Sequence, residues 1–152
     1  MAINKFVNNS YRDPECIETL TYYATHKDGR LVDFHGGINV DVYHAAVQMR
    51  AVKQFFRKNS DSRQVRHIVV GLDPRYMLIA PEADAIAKRI CEYYADRYQI
   101  VYGVHEDTDN LHIHIVFNCT SFVDGKQYSG ATGDLNMFRS HVNSVCRSFH
   151  SN

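Results

Sequence analysis

The sequence predicts an α+β domain in which helices pack on one face of a largely antiparallel sheet of about five strands. Three observations lead to this class. Strand and helix patterns are interspersed along 152 residues, the length of one ordinary domain. Two strand patterns flank a short polar turn, which is typical of a hairpin. Hydrophobic residues make up 45% of the chain and charged residues 22%, as in ordinary globular proteins.

The first half of the chain should contain one strand and two helices. Residues 3–7 alternate in polarity, which favours a strand. A helix should span 13–25, because Asp13-Pro14 is a typical helix start. Its apolar side is expected to carry Cys16, Ile17, Leu20, Tyr23 and Ala24, and its exposed side Tyr22. A glycine-containing loop at 34–39 then precedes a helix over 41–56.

The second half should supply the remaining strands and two more helices. β-Branched residues at 65–72 predict a strand, and Pro81 opens a helix. Residues 100–105 and 111–122 read as a hairpin across the polar turn at 106–110. The Asp124-Gly125 turn should bring 126–129 back against that hairpin, and a last helix should begin near Asp134.

Composition and charge limit the classes of function. Seventeen basic and seventeen acidic residues give no net charge, so the total indicates no attraction to nucleic acid. The chain contains neither an apolar stretch long enough for a bilayer nor a secretory signal, so we expect a cytoplasmic protein without a membrane partner. The four cysteines form no CxxC pair and should be reduced and mostly buried.

Histidines form the most informative pattern in the chain. The segment H-E-D-T-D-N-L-H-I-H-I-V-F-N begins at His105. Alternate side chains of a strand share a face, so His112 and His114 should lie about 7 Å apart, opposite the apolar residues. His105 ends the preceding strand of the same hairpin and can supply a third nitrogen. Three imidazoles with open coordination positions indicate a catalytic divalent-metal site on the open face of the sheet.

Three neighbouring residues are further candidates. Asp107 can either fix an imidazole tautomer or cap the turn. His67 lies in a strand of the same sheet and can face either the site or the core. Asn118 shares the strand face of His112 and His114.

The strongest local positive charge lies between positions 50 and 66, where Asp61 is the only acidic residue. Its members are Arg50, Lys53, Arg57, Lys58, Arg63 and Arg66. Taken alone, such a run is more typical of a solvated helix face than of a binding surface.

The histidine segment resembles the three-histidine motif of plasmid mobilisation relaxases, which form the MobA-like branch of the HUH endonucleases. The following C-T-S-F-V-D-G-K-Q-Y resembles the hairpin that comes after this motif in the family. Upstream, T-Y-Y-A-T-H-K-D-G-R-L-V resembles the tyrosine motif of that family. G-I-N-V with M-R-A-V-K-Q-F-F resembles its next helix, and H-I-V-V-G-L-D-P its following strand. The resemblance covers nearly the whole chain.

The resemblance implies site-specific nicking of single-stranded DNA at an origin of transfer. A tyrosine hydroxyl would attack the phosphodiester and leave a 5′-phosphotyrosine, while His105, His112 and His114 hold a divalent cation. The nucleophile would be Tyr22 or Tyr23; the motif, aligned back from Arg30, favours Tyr22, as does its exposed side of the helix. Magnesium or manganese is expected from the family, although three imidazoles also suit zinc, nickel or cobalt.

The same resemblance implies single-stranded DNA as the partner, with accessory relaxosome proteins as further partners. The basic run would then follow the phosphate backbone, and exposed tyrosines would stack on bases. We expect one relaxase nuclease domain over 1–152, without the C-terminal extension of the family. The alternatives are a non-catalytic or degenerate single-stranded-DNA-binding module, a structural metal-binding protein, and a histidine-triad nucleotide hydrolase, which would need a histidine where Val116 stands.

Overall fold

The computed structural model describes residues 2–7, 9–58, 62–107 and 110–150. The strands are β1 (Ala2–Phe6), β2 (His26–Lys27), β3 (Arg30–Leu31), β4 (His35–Ile38), β5 (Val65–Leu72), β6 (Ile100–Asp107) and β7 (Asn110–Asn118). The α-helices are α1 (Cys16–Thr25), α2 (Ala45–Phe55), α3 (Ala80–Cys91) and α4 (Thr132–His150). Short 3-10 turns lie at Val42–His44, Pro74–Tyr76 and Glu92–Tyr94.

Five of the strands form one antiparallel sheet in the order β1-β5-β7-β6-β4, and β2 pairs with β3 in a separate hairpin. The predicted α+β class and five-stranded antiparallel sheet are therefore confirmed. The loop predicted at 34–39 instead contains the edge strand β4. A side chain at Gly36 would collide with the ring of Tyr102, and one at Gly37 with the backbone of Val40. These glycines are required by close packing within a strand.

The hairpin of β6 and β7 is present, but it ends earlier than predicted. The side chain of Asn118 accepts a hydrogen bond from the backbone N–H of Thr120 at 3.0 Å, which turns the chain out of the ladder. The predicted strand at 126–129 is therefore reduced to a single bridge between Thr120 and Gln127. Residues 108 and 109 of the predicted turn lie outside the described residues.

Local signals explain where the helices begin. The carboxylate of Asp13 accepts from the N–H of Glu15 at 3.0 Å, just before α1. Glu82 accepts from the N–H of Ile79 at 3.0 Å at the start of α3. In the first turn of α4, Asp134 accepts from the hydroxyls of Tyr94 at 3.0 Å and Tyr128 at 2.6 Å, which ties this helix to the 3-10 turn before β6 and to the segment after β7.

One face of the sheet packs against α3 and α4 and is closed by a continuous apolar cluster. We call it the apolar face; its sheet residues include Ile68, Val70, Ile113, Ile115 and Phe117, all of them fully or almost fully buried. Such a cluster supplies most of the hydrophobic stabilisation of a domain of this size. No described helix has both the length and the apolar composition that crossing a bilayer requires.

The opposite face, which we call the histidine face, is covered in part by α1 and α2. Ala24 and Met49 pack there against Val101 and Val116. The prediction that helices cover only one face was therefore wrong. Along 112–118, strand alternation puts histidines at one end of this face and the fully buried Val116 and Asn118 at the other. The helices close the end at Val116 and Asn118 and leave a cleft beside the histidines.

Candidate active site

Four histidines from the three central strands lie on the histidine face. They are His67 on β5, His105 on β6, and His112 and His114 on β7. The ring centroids of His105 and His114 are 4.2 Å apart, and those of His67 and His114 are 5.6 Å apart. The strand register sets His105 directly opposite His112. The three predicted histidines therefore share one face, and His67 joins them there.

Hydrogen bonds and burial define the state of three of these imidazoles. His105 donates its Nε2–H to the carbonyl oxygen of Ala24 at 2.8 Å, which leaves a lone pair on Nδ1. The Nε2 of His67 and the Nδ1 of His114 lie 3.3 Å apart. Burial lowers the pKa of His105, that of His67 to about 4 and that of His114 to about 3. All three rings are therefore neutral at neutral pH, the form that binds metal ions.

A carboxylate lies beside the fourth imidazole. The Nδ1 of His112 is buried and has no hydrogen-bond partner among the described residues, although Asp107 Oδ2 is 3.3 Å away. The Oδ1 of Asp107 accepts from Lys27 Nζ at 2.8 Å, and this bond holds the pKa of Asp107 below its usual value. Asp107 is therefore an ionised carboxylate facing an imidazole.

The donor chemistry of this cluster fits a divalent cation, whereas its present arrangement does not enclose one. The described side chains form no group of three or more ligands around a single point. Neutral imidazoles and the unpartnered Nδ1 of His112 are nevertheless the donors that such an ion requires.

Tyr23 lies over the histidine cluster. Its ring centroid is 5.3 Å from that of His114, 5.7 Å from that of His67 and 6.3 Å from that of His105. Tyr22 points elsewhere and stacks on His26, with centroids 3.9 Å apart and planes inclined by 10°. Each tyrosine is 52% exposed. The prediction that Tyr23 belongs to the core was wrong, because the sheet surface that it faces is the polar histidine end.

The basic run does not form one surface. Arg50 forms two hydrogen bonds to Glu18, at 2.6 and 2.5 Å. Arg66 lies on the apolar face, where its guanidinium is 4.7 Å from the ring centroid of Phe6. Arg63 donates to the carbonyl of Ser10 at 3.4 Å, while Arg57 and Lys58 are exposed. The run predicted as a DNA-binding surface is thus dispersed, because helix and strand periodicity send its members in different directions.

Lys53 and Asn118 were predicted as site residues, and both are interior. The ammonium of Lys53 donates to the carbonyl of Gln64 at 2.9 Å, to Asn118 Oδ1 at 2.7 Å and to Thr120 Oγ1 at 3.1 Å. The Nδ2 of Asn118 donates to the carbonyl of Met49 at 3.3 Å and to a glutamine side chain. With all these groups satisfied, neither side chain is available to DNA.

A cleft of about 490 Å³ opens beside Tyr23. Lys5, Tyr11, Tyr23, His67 and His114 contribute to its walls. Sequence reasoning missed Lys5 and Tyr11 as site residues. The only sequence signal was the alternation at 3–7, and it does not say which strand β1 pairs with.

Comparisons with known proteins agree with one another. The family model for the MobA/VirD2-like relaxase nuclease domain matches residues 21–150. Protein rlx of Staphylococcus aureus is 24% identical over 110 residues, covering 72% of this chain and 32% of that protein, so the chain spans about a third of this curated relative. A solved structure from work on the molecular basis of vancomycin resistance transfer in Staphylococcus aureus covers 98% of this chain and 91% of its own. Its TM-score of 0.65 at 14% identity indicates a shared fold.

Proposed function

Because this chain belongs to the MobA/VirD2-like relaxase nuclease-domain family, we propose that it nicks single-stranded DNA at an origin of transfer by tyrosine attack. The observation that carries the proposal is Tyr23 above a cluster of neutral imidazoles, in a cleft that is open to solvent. We place this activity in the cytoplasm during plasmid or conjugative-element mobilisation, with accessory relaxosome proteins as further partners.

Tyr23 is the nucleophile in this proposal. Its phenol oxygen attacks phosphorus, the new O–P bond forms, and the bond from phosphorus to the 3′ oxygen breaks. The leaving 3′ oxygen takes a proton from water, so the products are a 5′-phosphotyrosine and a free 3′-OH, and the energy of the phosphodiester is kept for religation. The phenol must lose its proton as it attacks, and the half-exposed ring of Tyr23 lets water accept that proton.

The histidines supply the groups that hold a cation near the phosphate. His105, His112 and His114 would bind a divalent ion, which acts as a Lewis acid on a phosphoryl oxygen when present. Magnesium or manganese is the functional expectation, while zinc, nickel and cobalt also suit three imidazoles. The carbonyl of Ala24 orients His105, and the carboxylate of Asp107 lies where it can orient His112.

Covalent adduct formation tests the proposal. The protein is incubated with Mn²⁺ and labelled single-stranded oligonucleotides that tile the origin of its own replicon, then resolved on a denaturing gel and mapped by peptide analysis. We expect an adduct with the wild type and with Tyr22→Phe, and none with Tyr23→Phe. An adduct on Tyr22 would keep the reaction but overturn the choice of nucleophile. Binding without any adduct would favour the non-catalytic single-stranded-DNA-binding module.

A further inference from the structure

Lys5 is the single permanently charged side chain among the described residues that line the cleft beside Tyr23. It extends from the edge strand β1 into the same cavity as Tyr23, His67 and His114. None of the described lining residues carries a carboxylate. The cleft therefore presents one unopposed cation in a chain whose formal net charge is zero.

The strand register explains how Lys5 reaches the histidines. Lys5 lies directly opposite Val69, and Val69 lies directly opposite His114. Residues opposite each other in antiparallel strands share a face, and neighbouring strands are about 4.8 Å apart. Only the short side chain of Val69 thus separates Lys5 from His114, and the flexible four-carbon stem of lysine spans this interval.

The tip of the β6–β7 hairpin has the opposite character. Carboxylates of Asp73, Glu106 and Asp107 line a groove there, and Asp107 Oδ2 lies 3.3 Å from His112 Nδ1. The cations close to them are already paired, Lys27 with Asp107 at 2.8 Å and Arg75 with Asp73 at 2.6 Å. Lys5, by contrast, forms no ion pair with any residue in the described part of the chain.

We propose that Lys5 forms a phosphate subsite, in which its ammonium group binds a non-bridging oxygen of a phosphodiester of single-stranded DNA entering the cleft from the β1 side. The identity of the ligand as DNA rests on the proposed function, whereas the position of the charge rests on the cleft alone. An anion is attracted to the unpaired charge of Lys5 more strongly than to Lys27 and Arg75, whose charges are offset by Asp107 and Asp73, so Lys5 favours entry from the β1 side.

The salt dependence of DNA binding tests this subsite. A fluorescent single-stranded oligonucleotide is titrated with Tyr23→Phe protein at several NaCl concentrations, with and without Lys5→Met, Lys5→Arg or Lys126→Met. Each phosphate contact on a single strand contributes about 0.7 to the slope of log K against log salt. We expect Lys5→Met to lower that slope by about 0.7, while Lys5→Arg and the exposed, distant control Lys126→Met leave it unchanged.

The outcomes separate this subsite from the catalytic proposal. If the wild type forms adducts but adding Lys5→Met leaves the slope of the Tyr23→Phe protein unchanged, the subsite is wrong and the proposed reaction stands. If no adduct forms on any oligonucleotide but Lys5→Met still lowers the salt slope of DNA binding, the subsite is supported and the proposed nicking reaction is not. A protein that binds no single-stranded DNA overturns the subsite. Lys5→Gln is a second neutral variant in case Lys5→Met shows a lowered unfolding temperature.

Discussion

The two faces of the sheet come from the same strands but differ in what covers them. On β7, Ile113 and Ile115 are sealed beneath α3 and α4, whereas His114 between them in sequence faces Tyr23 and an open cleft. His67 and His114 are buried polar side chains of the histidine face, and the buried Lys53 of α2 packs against that face through its bond to Asn118. The comparison teaches that strand alternation sets the larger apolar cluster on one face of the sheet and the histidine cluster on the other.

The largest expected effects come from substituting two neighbouring residues of β7, Ile115 and His114, which should change stability and nicking rate in opposite proportions. Ile115→Ala should lower the free energy of unfolding by about 2–5 kcal/mol, because it opens a cavity in the apolar face, and should leave the folded fraction active. His114→Ala should lower stability by at most about 1.5 kcal/mol, the value of a hydrogen bond. Its nicking rate should fall at least about 100-fold, because a Lewis acid contributes several kcal/mol to the transition state.

Urea unfolding and single-turnover nicking measure the two quantities on the same preparations. If His114→Ala destabilised the protein as strongly as Ile115→Ala, the histidine face would be part of the core. If His114→Ala kept its nicking rate, the cluster would not serve catalysis.

The buried ammonium of Lys53 should make the free energy of unfolding of the protein depend on pH. Burial lowers the pKa of Lys53 to about 8, while the unfolded chain keeps the ordinary lysine value near 10.5. Between these values the unfolded state holds more protons, so this group makes the free energy of unfolding rise with pH, by about 2–3 kcal/mol between pH 7.5 and pH 10. Lys53→Met should remove this contribution. Unfolding by urea at pH 7.5 and pH 10 measures it, and equal pH dependence in both proteins would show that Lys53 is not desolvated.

Gly103 lies at the border between the closed and open parts of the histidine face. A Cβ there would overlap the carbonyl oxygen of Ala24, at the end of the helix that carries Tyr23. Gly103→Ala should therefore cost about 1–3 kcal/mol of stability by overpacking and should slow nicking by displacing Tyr23.

The matched control is Gly133→Ala in α4, where an added Cβ meets no atom within 4 Å. It should change stability by no more than about 1 kcal/mol, in the stabilising direction, and leave nicking unchanged. Equal effects of the two substitutions in thermal unfolding and nicking assays would contradict the close contact at Gly103.

The smallest effect is expected at Arg50, which lies outside the cleft. Its guanidinium is held by Glu18, and an exposed pair of this kind contributes at most about 1 kcal/mol. Arg50→Met should therefore lower stability slightly and leave the salt slope of DNA binding unchanged. A slope lowered by about 0.7 would instead show that Arg50 contacts a DNA phosphate, as the sequence predicted.

Local signals in the sequence were sufficient for much of the fold. The bounds of β5 follow from a run of β-branched residues that ends at Asp73-Pro74, and the pairing of β6 with β7 follows from the turn between them. The family inferred from the histidine and tyrosine motifs is confirmed by the match over 21–150. The edge strand β4 was missed because its glycines are required by contacts with Tyr102 and Val40, which no local pattern reveals.

Site residues were predictable from the sequence only where strand or helix periodicity alone determines the direction of a side chain. Alternation along β7 correctly set His112 and His114 on one face. Helix periodicity likewise gave the correct direction for Tyr23, toward the sheet, but not the polar surface that it meets there. Lys5 and His67 reach the cleft through the pairing of β1 with β5 and of β5 with β7. Such pairings join residues far apart in sequence, so the sequence pattern gave no signal for Lys5 and left open whether His67 faces the site or the core.

The contact between Ala24 and β6 acts as a register lock for the tyrosine pair. The carbonyl of Ala24 meets Gly103 and also accepts a hydrogen bond from His105 at 2.8 Å. A slip of α1 by one residue would rotate it by about 100° and place the larger Tyr23 or Thr25 in the fully buried position of Ala24, beside Val101 and Val116. The two adjacent tyrosines are therefore not interchangeable. An insertion in the loop before or after α1 can be absorbed by that loop. A single insertion between Tyr23 and Ala24, by contrast, changes which side chain faces the histidines.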